Sequence, residues 1–521
     1  MLRFLFLYRP ILLGLVLISI LLSAAHIFLI TAEYDEAWII ASARQAFSDA
    51  TLPEVPPVLT TGGLYFWLVG LTAAVDLDPL LVARSLSFAS AILLIGLLYV
   101  HISRWFTSYA ERLIVIATCF AAPGTIMLAG LGFGIPLAVF LLISGLLVLT
   151  LHERTSITHA VVGGLLIGLA VATRWPLLPA LPGILLLIAG HPEHRAANVK
   201  AAFVAGATAV ACFAACVGLQ LLVQGGAGSS GANASLAASA QAAGISAALP
   251  SPPRLLSRVT SLMTVFPVSL LAVGVITCAF LDPKSGARRF AIVILGMALL
   301  IAVAFIIRSP ALLLRYIWPV YFLVALLAGF GFAMLYSRAR AAGVPALIHA
   351  SLLVPITLVF AQIVIAIRVL AIGAATQVNT AGHETLENQF TPLYLQEEEV
   401  QLVKYMKDTP ADAIFGTLTL PREHSALEIS LLTNRIVHDF HLMGEDVTAR
   451  PDYIITHRFS QLNDAGQTWL KNLGKPIQKI KGYSIYELPD EVNLPESETV
   501  ILSTQLYRFG PERQLSLTGW D

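Results

Sequence analysis

Eleven apolar runs, at roughly 10–30, 80–100, 112–130, 133–150, 158–173, 177–190, 201–223, 261–280, 290–307, 314–335 and 345–371, dominate the first 372 of the 521 residues. A helix needs about 20 apolar residues to cross the ~30 Å hydrocarbon core of a bilayer. In lipid each backbone N–H and C=O must also find its partner within the protein. The expected fold is therefore a polytopic α-helical membrane protein of about 11 transmembrane helices, or 12–13 if shorter apolar stretches also enter the bilayer. Composition agrees, since 57% of the residues are hydrophobic and only 12% are charged. Net charge is zero and no Lys/Arg-rich block occurs, so nucleic acid is not an expected partner. Cys119, Cys212, Cys216 and Cys278 all lie in apolar runs without the spacing of a zinc site, which reads as core thiols. Cys212 and Cys216 share a helical face, an arrangement that fits close helix packing better than redox chemistry. The first 30 residues lack a small-residue cleavage site after their apolar core, so they read as a retained span.

Charge bias threads the spans. With the N-terminus in the cytoplasm, the inner loops hold twelve basic residues, among them Arg104, Arg112, Arg154, Arg195, Arg288, Arg289, Arg338 and Arg340. The outer side holds seven, Arg44, Arg84, Arg174, Arg254, Arg258, Arg308 and Arg315, and this asymmetry follows the positive-inside rule. Such a threading puts Asp35, Glu36, Arg44, Arg174 and Arg315 on one side of the membrane together with the C-terminal domain. Outer carboxylates and arginines suit chemistry on a lipid-linked phosphate.

Two outer loops are long. The first, 31–79, contains an expected short helix over 36–48, a connector with Pro53, Pro56 and Pro57, and the apolar-aromatic stretch Gly63-Leu64-Tyr65-Phe66-Trp67-Leu68, which lies in the interface or forms an extra short span. The second, 224–260, is rich in Gly, Ala and Ser, the composition of a flexible flap or of a plain linker. Beyond 372 the chain turns polar and alternates helical and strand patterns, with helices expected over 397–407, 423–432 and 465–473 and strands over 413–418, 436–440, 453–456 and 483–488. A C-terminal extracytoplasmic α/β domain over 373–521 follows. It carries no glycine-rich phosphate loop and no nucleophile elbow, so it is expected to support or recognise rather than catalyse.

The acidic pair Asp35-Glu36 stands just past the first span. Asp35 can cap the helix that follows, with Glu36 complementing its dipole. A capping box would want Glu or Gln three residues on, and that residue is Trp38. Alternatively Asp35 is a general base, taking the proton of an acceptor hydroxyl or amine as it attacks a sugar carbon, while Glu36 orients the acceptor or tunes its neighbour. Arg315 opens a span in Leu314-Arg315-Tyr316-Ile317-Trp318-Pro319, as a snorkelling interfacial cation or as the partner of a departing phosphate. Arg174, at the break Arg174-Trp175-Pro176 between two short spans, admits the same two readings. The histidine pairs His191/His194 and His438/His441 read as surface residues rather than metal ligands.

The run Asp35-Glu36-Ala37-Trp38-Ile39-Ile40-Ala41-Ser42-Ala43-Arg44 resembles the "DEA…A…AR" signature after the first span of GT-C glycosyltransferases, above all their aminoarabinose transferase and protein O-mannosyltransferase branches. Leu64-Tyr65-Phe66-Trp67-Leu68 resembles their "PPLxYWL", Ala83-Arg84-Ser85-Leu86 their "AARLPS", and Arg315-Tyr316-Ile317-Trp318-Pro319 their "RYxLP". Leu431-Leu432-Thr433-Asn434-Arg435 and Pro451-Asp452-Tyr453-Ile454-Ile455 resemble the tails of the same group. The resemblance implies an integral membrane enzyme that moves a sugar, with inversion, from a polyprenyl- (or dolichyl-) phosphate donor to an envelope lipid, glycan or protein acceptor; the alanine-rich composition and the absence of secretory disulfides fit a bacterial inner membrane, with the chemistry on its periplasmic side. Asp35 would be its base and Glu36 its companion. Arg315, Tyr316 and Arg174 would meet the carrier phosphate together with Arg44 and Arg84, which would also support the first loop. Two departures stand out: Thr60-Thr61-Gly62-Gly63 replaces a segment where many relatives carry Lys or His before two prolines, and Gly134-Ile135-Pro136-Leu137 replaces an acidic "DxPL". No metal and no other cofactor is expected. The competing classes are a transporter or flippase of lipid-linked sugars, which would carry mid-membrane charges and paired repeats, and an inactive scaffold of envelope enzymes.

Overall fold

The computed structural model describes residues 2–29, 34–45, 47, 61–75, 77–150, 152, 154–189, 194–224, 286–308, 314–374, 397–417, 429–430, 433, 435–439, 450–457, 464–480 and 482–493. Two compact units make up the chain. One consists of Met1–Phe28, Pro57–Val69 and Leu81–Arg368, the other of Leu29–Pro56, Gly70–Leu80 and Val369–Asp521.

Helices α1 (Leu2–Leu29), α2 (Tyr34–Gln45), α3 (Gly63–Gly70), α4 (Pro79–Ile102), α5 (Tyr109–Phe120), α6 (Thr125–Leu128), α7 (Ile135–Thr150), α8 (Ile157–Thr173), α9 (Arg195–Gln224), α10 (Gly286–Arg308), α11 (Leu314–Ala341) and α12 (Pro345–Ala374) follow the apolar runs. Among the described residues six are long and apolar enough to cross a membrane: Tyr8–Phe28, Pro79–Ile102, Arg195–Val223, Ala287–Ile307, Ile317–Ala341 and Pro345–Arg368. Shorter apolar helices occupy Gly63–Ala73, Ile135–Thr150, Ile157–Thr173 and Trp175–Leu186. The expected span at 261–280 and the loop at 224–260 beyond Gln224 lie outside the described residues.

Two runs read as single spans differ from that expectation. The run at 112–130 divides into α5 and α6 at Pro123-Gly124, where Gly124 takes φ +75°, a left-handed conformation that a continuing α-helix excludes. The run at 177–190 is wound as a 3₁₀ helix over Trp175–Ala189, with Pro179 and Pro182 inside it removing the donors of α-helical bonds.

In the first unit α11 is the central helix, with 94% of its membrane window buried, against 17% for α9 and 28% for α4. Elsewhere in this unit small residues bring α8 and α9 close. Gly164 and Gly168 of α8 lie against the carbonyls of Ala205 and Ala209 of α9, so a side chain at either glycine would drive the backbones apart. Cys212 packs beside Gly168 in the same seam. Helix ends gather in two sets. At one, Arg289 of α10 donates to the His152 carbonyl (2.7 Å) and to Thr155 Oγ1 (2.8 Å), while Thr155 N–H donates to Asn198 Oδ1 of α9 (3.2 Å). The Trp105 ring packs there against Phe290, tilted, and edge-on against Phe330.

The second unit contains a five-stranded sheet of β1 (Ile414–Thr417), β2 (Ile436–Asp439), β3 (Tyr453–His457), β4 (Gln478–Ile480) and β5 (Tyr483–Glu487) in the order β2-β1-β3-β5-β4. β1 runs parallel to β2 and β3, and β5 antiparallel to β3 and β4. Alternation sets the two faces. Phe415, Val437, Ile455 and Ile485 pack with Leu402 and Met406 of α13 (Glu397–Lys407), while Ile454 and Leu488 meet Trp469, Leu470 and Leu473 on and just after α14 (Asp464–Asn472). β4 is additional to the strands that the pattern predicts, and of the helix expected at 423–432 only residues 429–430 are described. His438 is buried in β2 rather than exposed as its sequence context suggested, because its strand position turns it into the sheet's covering layer. His441 and His191 lie outside the described residues.

Candidate functional site

Helix ends of the second set carry most of the residues singled out in the sequence. Thr61 forms a main-chain bridge with Arg174, Gly62 N–H donates to the Thr173 carbonyl (3.2 Å), and the Arg174 guanidinium donates to the Thr61 hydroxyl. Thr61, Thr173, Arg174 and Gln220 are all buried there. The glycine pair makes this approach possible. A Cβ on Gly62 would lie 2.1 Å from Gln220 Oε1 of α9, and one on Gly63, whose φ is +53°, would lie 2.9 Å from Thr173 N. The segment that departs from the family pattern is thus stitched to the end of α8 and beneath α9, and a guanidinium reaches it from Arg174.

From this anchor α3 sets out, and its Tyr65 hydroxyl donates to the Gly132 carbonyl. Gly134, at φ +68°, leaves room for the Tyr65 ring. The second departing segment, Gly134-Ile135-Pro136-Leu137, therefore carries a packing role: it opens α7 under an aromatic ring rather than presenting an acid.

Arg315 and Tyr316 occupy the first turn of α11, where no acidic residue stands; their side chains lie outside the described set. A cation in the first turn opposes the helix dipole, and an anion brought to it relieves that opposition. One turn on, Trp318 fixes the helix start: its Nε1–H donates to Thr125 Oγ1 of α6 (3.0 Å) and its ring lies against Phe322. Arg84, 1% exposed in α4, donates from Nη1 to the Ile27 carbonyl (3.0 Å) near the end of α1, where a cation complements the helix's negative end. A structural tie accounts for this much of Arg84.

In the second unit, α2 begins at Tyr34, so Asp35 is its second residue rather than the cap before it. The Asp35 side chain lies outside the described set. Glu36 is fully buried, as are Ala37, Ile40, Ala41 and Ala43, and Arg44 is half-buried in the last turn. The far end of α2 packs on the short 3₁₀ turn Leu71–Ala73, with the Phe47 ring filling the space that a Cβ on Gly70 would need. Among the described residues no three His, Cys, Asp or Glu side chains gather so as to hold a metal ion.

No protein-family model and no curated protein sequence matches the chain. Solved structures do. The crystal structure of ArnT from Cupriavidus metallidurans bound to undecaprenyl phosphate matches with a TM-score of 0.59 over 93% of this chain and 99% of that one, at 14% identity. The apo state of the same ArnT gives 0.55 over the same shares, at 12% identity. The chain has the GT-C fold. At so low an identity the GT-C likeness is carried by helix order and packing.

Sequence reasoning named Arg174 but not its partners. Nothing in a hydropathy profile links it to Thr61, 113 positions away. Thr173, Gln220 and Thr125 are not singled out by the sequence, and Trp318 enters only as part of the Arg315 motif; the adjacent glycines at 62 and 63 are the one available signal for the Arg174 contacts, since paired glycines mark a close backbone approach.

Proposed function

We propose that this integral membrane protein is an inverting glycosyltransferase that moves a sugar from a polyprenyl-phosphate carrier to an envelope lipid, glycan or protein acceptor at the outer face of a bacterial inner membrane. The observation that carries this reading is the GT-C fold shared with an ArnT bound to undecaprenyl phosphate across 93% of this chain. In this reading Asp35 takes the proton of the acceptor hydroxyl or amine as that atom attacks the anomeric carbon. The bond from that carbon to the carrier phosphate oxygen breaks on the opposite face, which inverts the centre. Arg315, with Tyr316 beside it and Arg174 in the same unit, meets the charge that develops on the leaving phosphate, and the dipole of α11 adds to that field. Glu36 orients the acceptor or tunes Asp35, Arg44 steadies α2, and Arg84 holds the end of α1. No metal is assigned to any of these steps.

Purified protein offered a panel of radiolabelled polyprenyl-phosphate sugars and an envelope lipid extract tests the reading. Transfer by the wild type that drops on the order of 10²–10⁴-fold in Asp35→Asn, with carrier binding retained, is the expected result. Equal transfer by the variant removes Asp35 as base, and absence of transfer with every donor removes the enzyme.

A further inference from the structure

The sheet of the second unit has a topology that singles out one of its edges. Strands β1 and β3 are parallel neighbours in the order β2-β1-β3-β5-β4. After β1 the chain turns to one face, where Ile429 of the helical residues 429–430 packs with Phe415 and Val437. After β3 it turns to the other, where Trp469 and Leu470 of α14 meet Ile454. Connections that part in this way leave a crevice outside the carboxyl ends of the two strands, and open α/β sheets take their ligands there.

Polar residues end both strands at this point. Thr417 closes β1 in register with Ile455, so His457, two residues on at the close of β3, lies on the same face as Thr417. A strand spacing of about 4.8 Å and a two-residue rise of about 6.6 Å set their Cα atoms roughly 8 Å apart. Thr417 is fully buried and His457 6% exposed, where the face changes from the apolar Phe415 and Ile455 to hydrogen-bonding groups. Thr417 Oγ1 donates to the His438 carbonyl (3.2 Å), which leaves the hydroxyl oxygen able to accept. The His457 ring lies against Tyr483, its register partner on β5, with centroids 4.7 Å apart and planes at 59°. A neutral imidazole offers one donor and one acceptor.

These groups select a ligand class. Asp439 ends β2 in register with Thr417, so the three parallel strands close on Asp, Thr and His, with no Lys or Arg among them. A phosphate or carboxylate would meet no fixed cation at these strand ends, and an apolar ligand would leave the buried polar groups without water. A sugar ring suits both conditions, since each of its hydroxyls donates and accepts. We propose that the carboxyl edge of β1 and β3 binds an uncharged saccharide, with Thr417 and His457 taking its hydroxyls and Tyr483 positioning the imidazole. The sugar is that of an envelope glycan rather than of the lipid carrier, whose phosphate the edge does not match.

Saturation-transfer difference NMR on the full-length protein reads this binding directly, with the methyl glycosides of glucose, galactose, mannose and N-acetylglucosamine as probes. The protein is kept in an amine-oxide detergent, because maltoside detergents carry the same ring. At least one glycoside is expected to give a signal that falls several-fold in Thr417→Val and in His457→Phe and returns in Thr417→Ser, which keeps the hydroxyl. Lys479→Ala, on exposed β4, should leave the signal unchanged, and thermal midpoints of all variants should stay near that of the wild type. Equal signals in wild type and Thr417→Val overturn the proposal, and so does silence from every glycoside. A signal confined to sugar 1-phosphates also overturns it, since the edge would then read the carrier's sugar. Binding alone is read, so the outcome is independent of the glycosyltransferase reading.

Discussion

Gly63 bears the sharpest constraint of any single residue at the site. Its φ is +53°, and the Thr173 nitrogen stands 2.9 Å from the place a Cβ would take, so no relaxed position exists for a side chain when the obstacle is backbone. Gly63→Ala is expected to cost about 1–3 kcal/mol and to lower the thermal midpoint in detergent. At Gly62 the closest obstacle is the tip of Gln220, 2.1 Å from the Cβ position, and a side chain can turn away. Gly62→Ala alone should therefore destabilise, and adding Gln220→Ala should recover part of the loss; additive losses in the same melts would show that the Ala172 carbonyl, 3.2 Å away, is the real obstacle. At this scale the sequence exposed a glycine pair in an unusual segment. It could not expose the partner, because a contact across 113 positions leaves no periodic trace.

Helices and strands were legible in proportion to their length. Ten of the eleven apolar runs coincide with helical segments, since a run of that length has few other ways to satisfy its backbone. What hydropathy blurred was punctuation inside a run: Pro123-Gly124 ends α5 without changing the apolar average, and α6 then restarts only to place Thr125 under Trp318. That bond joins two elements and is testable as a pair. Trp318→Phe and Thr125→Val should each cost about 1 kcal/mol, and the double variant should cost clearly less than the sum in a double-mutant melt. β4 escaped because Gln478-Lys479-Ile480 is three residues long and shows only one buried position. In β2 the tertiary environment decides His438, whose pKa burial holds below the ordinary value of about 6.5. A histidine depressed in the folded state contributes stability above that value and loses it as pH falls, because the unfolded chain then binds the proton more readily. The sheet domain's unfolding midpoint should drop between about pH 7 and pH 5, and His438→Gln should flatten that dependence in calorimetry; an unchanged slope would assign the acid sensitivity elsewhere.

For the molecule as a whole, the sequence offered a threading and the structure offers an independent check on it. Counting spans from a cytoplasmic N-terminus assigns the α7–α8 loop and the starts of α9 and α10 to one side, and these are the ends that Arg289, Thr155 and Asn198 tie together. The same count assigns the end of α1, the start of α3, the ends of α8 and α9 and the start of α11 to the other side. There Gly130 packs on His26, Tyr65 meets Gly132, Arg174 meets Thr61, and Trp318 meets Thr125. Packing thus sorts the helix ends into the two sets that the count requires, with no use made of charge. Charge is what distinguishes the sets, with the Arg154, Arg195, Arg288 and Arg289 group at the first, and the positive-inside rule names that one cytoplasmic. Single cysteines at exposed positions, in a background with the native cysteines replaced, decide it. Asp490→Cys in the sheet domain should react with a membrane-impermeant maleimide in intact spheroplasts, whereas Arg154→Cys in the α7–α8 loop should react only after permeabilisation. The reverse pattern would put Asp35 and Arg315 on the cytoplasmic side, where a carrier whose sugar faces outward could not meet them.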